Sequence, residues 1–214
     1  MGVLDLLLPP ACAGCGRSGA LLCRVCRARL RPPSDARDRF VAPDAGVVVG
    51  DALVVAIAAF AYGGPMRRAL AALKYTGASR LAPILADLAL PTLDRLARIT
   101  GSAALVPIPI HRDRLASRGY NQAALLADSL ARRRRMHVVA ALDRVLPTTK
   151  QHRLNRAARL QNLRGAFAAT GSAPPVAMLV DDIITTTATL EACASVLRAA
   201  GCEAVYGLGV AREV

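Results

Sequence analysis

Apolar residues in this chain fall into short runs, separated by longer stretches with helical spacing. Residues 53–61 are almost continuously apolar, as expected of a strand buried on both faces. Gly63-Gly64 marks a turn, and Pro65 opens a helix through Leu73, because proline is tolerated where the first-turn N–H has no partner anyway. Residues 81–98 read as a second, proline-interrupted helical stretch. Leu105-Val106-Pro107-Ile108-Pro109-Ile110 reads as a strand ending in prolines. Over 121–135, Ala124, Leu125, Ala127 and Leu130 form an apolar stripe at helical spacing. Residues 138–142, 176–180 and 205–210 read as further strands, and 190–200 as a helix stopped by Gly201. The polar segment 144–164, rich in Arg, Gln, Asn and Thr, reads as loop. Strands separated by helices pair in parallel, so the pattern predicts an α/β fold: a parallel sheet with helices on both faces.

The pattern changes before residue 47. Residues 1–34 form a cysteine module, 35–46 a linker in the proline- and charge-rich stretch holding Pro32, Pro33 and Pro43, and 47–214 the α/β domain. A chain of 214 residues can bury one good core plus a small appendage. The longest apolar run, 53–62, is too short to cross a bilayer. The start lacks a basic segment and carries Asp5, which argues against a secretory signal and for a cytoplasmic protein. The net charge of +13 favours polyanionic partners. Only Lys74 and Lys150 among the 28 basic residues are lysine, an arginine bias that a GC-rich genome would also produce. The run Arg132 to Arg135 closes a helix, where cations suit the dipole. With no Trp, three Phe and four Tyr, any nucleic-acid binding is expected to rest on phosphate contacts and to depend on salt.

Cys12-x-x-Cys15 and Cys23-x-x-Cys26 are two knuckles, each able to wrap two thiolates onto one ion. Together they predict one tetrahedral structural zinc with no ligand position open for catalysis. The short segment between them cannot fold alone, so the metal would supply its stability. Cys193 and Cys202 read as buried, inert thiols.

The densest chemistry lies at 176–189. An apolar strand ends in Asp181-Asp182, and Thr185, Thr186, Thr187, Ala188 and Thr189 lead into a helix. Ligands of open α/β sheets bind at the carboxyl ends of strands, and a helix N-terminus offers unpaired N–H groups to phosphate. Carboxylates suit sugar hydroxyls, or a magnesium ion shared with a pyrophosphate. The set therefore points to a phosphorylated ribose. Arg112, Arg114 and Arg118 follow the prolines of the 105–110 strand and could fork onto a diphosphate. His111 reads as a solvated loop residue.

The 176–189 segment resembles the 5-phosphoribosyl-1-pyrophosphate (PRPP) motif of type I phosphoribosyltransferases, with Thr187 where glycine is usual. Three further patterns extend the resemblance to nearly the whole chain: Arg118-Gly119-Tyr120-Asn121-Gln122; Arg144, Thr148, Gln151 and Leu154; and Arg159, Asn162 and Gly165-Ala166-Phe167. With the four cysteines, Tyr62-x-Gly64-Pro65 and Leu73-Lys74-Tyr75, they resemble the ComF family of competence proteins. The resemblance implies a zinc-ribbon-like module on a type I phosphoribosyltransferase-like domain, with PRPP and Mg2+ as ligands and 144–164 as a hood over the site. It implies a role in natural transformation, with single-stranded DNA and proteins of the uptake machinery as partners. Two other readings stand beside it: an active phosphoribosyltransferase with an unknown small acceptor, and a structural adaptor with a vestigial pocket. No glutaminase domain is expected, since there is no room for one after Met1-Gly2.

Overall fold

The computed structural model describes residues 9–33, 41–42, 46–49, 51–146, 163, 165–185 and 187–213. Thr186, most of the expected linker, and Thr148, Gln151, Leu154, Arg159 and Asn162 of the expected hood lie outside the described residues.

In chain order the elements are α1 (Arg24–Ala28), β1 (Val41–Ala42), β2 (Gly46–Val49), β3 (Leu53–Ala61), α2 (Gly64–Tyr75), α3 (Leu81–Thr100), β4 (Ala104–Pro107), α4 (Arg112–Arg118), α5 (Gln122–Arg134), β5 (Leu142–Arg144), β6 (Phe167–Ala169), β7 (Val176–Ile184), α6 (Ala188–Ala199) and β8 (Ala204–Arg212). Strands β3, β8, β7 and β4 run parallel in that spatial order. β1 and β2 extend the sheet antiparallel beyond β3, so part of the expected linker is an edge strand.

Alternation along each strand divides the core in two. Val55, Ile57, Leu105, Met178, Val180 and Leu208 face α2, α3 and α5. Ala56, Ala58, Val106, Ala177 and Leu179 face α6, joined by Leu142 and Phe167 of the small β5–β6 sheet. This is the predicted α/β architecture, a parallel sheet with helices on both faces. Glu191, in the first turn of α6, accepts from the Ala52 and Leu53 N–H groups at 3.0 and 3.2 Å and ties that helix to the start of β3. Gly209 on β8 has a packing reason: a Cβ there would lie 2.6 Å from Ile184 at the end of β7.

Three sequence expectations change. The 81–98 stretch is one continuous helix, α3. Pro83 sits in its first turn, and Pro91 is carried inside a helix whose Leu85, Ala89, Leu93 and Leu96 are fully buried. Burial of that face outweighs one lost hydrogen bond. The 138–142 run is not a strand of the main sheet. Val138 makes a single bridge to Leu105, and the strand proper is β5, paired antiparallel with β6. The run is apolar because Val138 packs on one core while Ala141 and Leu142 belong to the other. His111 is buried and caps α4, its Nδ1 accepting from the Asp113 N–H at 3.4 Å, rather than lying in solvent.

Candidate functional site at the carboxyl edge of the sheet

Strand alternation sends the two adjacent carboxylates to opposite faces of the sheet. Asp182 continues the Met178–Val180 face and meets α2 and α5. Its Oδ2 lies 2.6 Å from Lys74 Nζ, and its Oδ1 accepts from Gln122 Nε2 at 3.4 Å. The Asp182 side chain is 3% exposed and Lys74 19%, so this is a sheltered ion pair. Asp181 continues the other face, and its Oδ1 accepts from the Asp182 N–H at 2.8 Å. Burial and the neighbouring Asp182 carboxylate push its carboxyl well above the usual range, against the pull of Lys74. Arg144 of β5 and Cys193 of α6 lie within electrostatic range of Asp181. Arg144 stacks on Phe167 at 5.3 Å, and burial, with Arg114 nearby, lowers its guanidinium below the usual value. Cys193 is buried with its thiol pushed up, and Cys202 is buried too, which makes both inert as expected.

The Arg118–Gln122 segment positions this edge residue by residue. Gly119 ends α4 in the left-handed region at φ 80°. The Tyr120 hydroxyl donates to the Leu73 carbonyl at 2.5 Å, anchoring the loop to α2 beside Lys74. Asn121 caps α5 by accepting from the Ala123 N–H, and it donates to the Ile108 carbonyl at 2.9 Å. Gln122 accepts from Arg118 while donating to Asp182, so it joins the carboxylate to the arginine helix.

Beside this network lies an open cleft of about 540 Å³ lined by Lys74, Tyr75, Thr76, Gly77, Arg114, Ser117 and Arg118. Two of the three expected arginines thus come together there. Arg112 is not part of the lining; its side chain is 90% exposed next to Asp113. In the threonine loop, Thr185 is exposed, Thr187 and Ala188 are buried, and Thr189 is half-buried. Thr187 is the N-cap of α6 at φ 58° and ψ −9°. The backbone there takes the left-handed form for which glycine is the usual residue, although the side chain is β-branched.

Sequence reasoning assigned no role at the site to Lys74 or Gln122. A signal was present, because Lys74 is one of two lysines in a chain whose other cations are arginine. A flexible ammonium reaches a single carboxylate oxygen where a rigid guanidinium fork would not fit as easily.

The four cysteines of the N-terminal module also converge. The Sγ atoms of Cys12, Cys15, Cys23 and Cys26 all lie within 4.8 Å of one another. Cys15 and Cys23 Sγ are 3.8 Å apart, the spacing of two thiolates on a tetrahedral ion with bonds of about 2.3 Å. Burial pushes the Cys12 thiol up, but N–H groups of Cys23, Gly14 and Cys15 outweigh it and bring it down to about 6. Burial and the other three thiols push Cys26 up to about 12. One thiolate forms readily and the last does not, a mismatch that a bound cation would remove. The cluster could therefore hold a metal. Among the described residues no helix is long and apolar enough to cross a membrane.

No protein-family model matches the chain. It is 37% identical over 114 residues to Competence protein F of Haemophilus influenzae, covering 51% of this chain and 50% of that one. It is 31% identical over 151 residues to the DNA utilization protein YhgH of Escherichia coli, covering 67% and 66%, and 32% identical over 146 residues to its Salmonella typhi counterpart, covering 64% and 62%. The matches thus span half to two thirds of the length of these relatives. These identities, together with a four-cysteine cluster ahead of a parallel α/β sheet, show that the chain belongs to the ComF family.

Proposed function

We propose that this protein handles single-stranded DNA during natural transformation and carries a phosphoribose pocket that takes PRPP with Mg2+. The observation that carries the pocket is the Asp181–Asp182 pair at the carboxyl edge of the parallel sheet, with Lys74, Arg114, Arg118 and Arg144 around it and the threonine loop opening α6. Carboxylates that accept from ribose hydroxyls, cations that meet a diphosphate and a helix N-terminus for the 5′-phosphate are what such a ligand needs. The DNA role is supported by the names of the relatives, which are competence and DNA-utilization proteins, and by the net charge of +13. In this reading Asp181, Asp182, Thr185, Thr186, Thr187, Ala188 and Thr189 hold the phosphoribose and Arg114 and Arg118 the diphosphate end. Arg112, exposed beside them, meets phosphate only when ligand is present. The four cysteines hold a structural zinc, kept as thiolates in the reducing cytoplasm.

A second reading, pentosyl transfer from PRPP to a small acceptor, is favoured by one observation. Asp181 is held toward its protonated form beside the sheet edge, where it could exchange a proton with an acceptor. The test is to titrate the purified protein with fluorescein-labelled oligo-dT at several salt concentrations and then assay pyrophosphate release from PRPP over a panel of amines and bases. Salt-dependent DNA binding without release supports the DNA-handling reading. Release with any acceptor, and no DNA binding, would replace it with the transferase.

A further inference from the structure

Tyr75 is the last residue of α2 and is 70% exposed; it is the one exposed aromatic among the described residues. It lines the 540 Å³ cleft together with Lys74, Arg114 and Arg118. The Arg118 guanidinium lies 5.6 Å from the centre of its ring, so a cation covers one side and leaves the rest of the ring to solvent. Arg118 is also held by Gln122, and Lys74 by Asp182, so the walls around the ring are fixed by hydrogen bonds and an ion pair. Among the described residues the other aromatic rings are buried wholly or in part: Phe167 is buried beneath Arg144, and Phe60, Tyr62, Tyr120 and Tyr206 pack against the core. A ring left 70% in solvent at the end of a helix contributes little burial to folding.

An aromatic face among fixed cations is the arrangement that binds a base with its flanking phosphates. We infer that the Tyr75 cleft is a stacking site for one base of single-stranded DNA, next to the phosphoribose pocket, with the adjoining phosphates on Arg114 and Arg118, the same cations that take the PRPP diphosphate, so that strand and diphosphate occupy them in turn. This rests on the DNA-handling reading and gives it a place on the molecule. The strand then approaches the pocket along Lys74, whose ammonium touches both the cleft and Asp182.

The experiment compares labelled oligo-dT with the same oligonucleotide carrying abasic sites, against wild type, Tyr75→Ala and Tyr75→Phe, by fluorescence anisotropy at fixed salt. Tyr75 is exposed, so these substitutions leave the thermal midpoint unchanged. Wild type and Tyr75→Phe should prefer the base-bearing strand by about 5- to 100-fold, and Tyr75→Ala should bind both strands equally weakly. If wild type binds DNA but Tyr75→Ala discriminates as well as it does, the stacking site is wrong and the DNA reading survives. If wild type binds neither strand, both fall. If free dTMP binds in a Tyr75-dependent way more tightly than the oligonucleotide, the cleft belongs to a mononucleotide and the strand assignment is overturned.

Discussion

At the scale of single residues, Thr187 and Asp181 are both held in states that cost stability. A β-branched residue at φ 58° is strained by about 1–3 kcal/mol, and glycine there would relieve that strain but cost about 0.4–1 kcal/mol through the freer unfolded chain. Thr187→Gly is therefore expected to stabilise the fold by roughly 1 kcal/mol and to keep phosphate affinity; a lower denaturant midpoint would show that the threonine side chain earns its strain through contacts. Burial and Asp182 raise the Asp181 carboxyl above its unfolded value of about 3.9, so folding favours the protonated form. Its contribution is complete below that value and is lost as pH rises through the folded one. Asp181→Asn removes the loss. The variant should match wild type in thermal midpoint near pH 4 and exceed it at pH 7, and equal midpoints at pH 7 would mean that the carboxyl is not held protonated.

At the scale of elements, the cysteine module is docked rather than tethered. Cys12, Leu22 and Cys26 share a core with Met66 and Leu70 of α2, and Arg68 Nε donates to the Gly14 carbonyl at 2.5 Å. The Ala61 N–H at the end of β3 donates to the Arg31 carbonyl at 2.8 Å. A Cβ on Gly14 would sit 2.7 Å from Cys26 Sγ and 3.2 Å from Pro65. Gly14→Ala is expected to lower zinc content below one ion per chain, measured by elemental analysis, and to reduce the thermal midpoint of the whole molecule. Full zinc occupancy with an unchanged midpoint would contradict this docking. The knuckles, the strand–loop–helix around Asp181 and the order of strands and helices were legible because each has a local signature: cysteine spacing, an apolar run, a cap. Lys74 and Gln122 were not given site roles, because their meaning depends on α2 and α5 meeting β7 across many residues. The continuity of α3 was also misread, because Pro91 is a local signal for breaking that a buried face overrides. The splitting of Asp181 from Asp182 follows from strand periodicity, but only once β7 is known to continue through Ile184.

At the scale of the molecule, positive charge is unevenly available. Within the Arg132 to Arg135 run, Arg133 is paired with Asp87 at 2.8 Å and Arg134 with Asp94 at 2.6 Å, both on α3. These two cations brace α5 against α3 and are partly spent, whereas Arg114 and Arg118 open onto the cleft. Replacing Arg114 and Arg118 by Gln should flatten the log–log salt dependence of oligo-dT binding by about 1.4, at about 0.7 per phosphate contact. Replacing Arg133 and Arg134 should leave the slope unchanged, and the opposite pattern would place the DNA path on α5. The central claim is that the split carboxylate pair at the sheet edge is a phosphoribose pocket. Calorimetric titration of PRPP with Mg2+ into wild type and Asp181→Asn tests it most directly. Wild type should bind, and Asp181→Asn should bind about 2- to 10-fold more weakly while melting higher at neutral pH, because an amide NH2 replaces a carboxyl oxygen at the ribose hydroxyls and the lost neutral hydrogen bond contributes about 0.5–1.5 kcal/mol. Equal affinity in the two proteins, or no binding by wild type, would contradict the account.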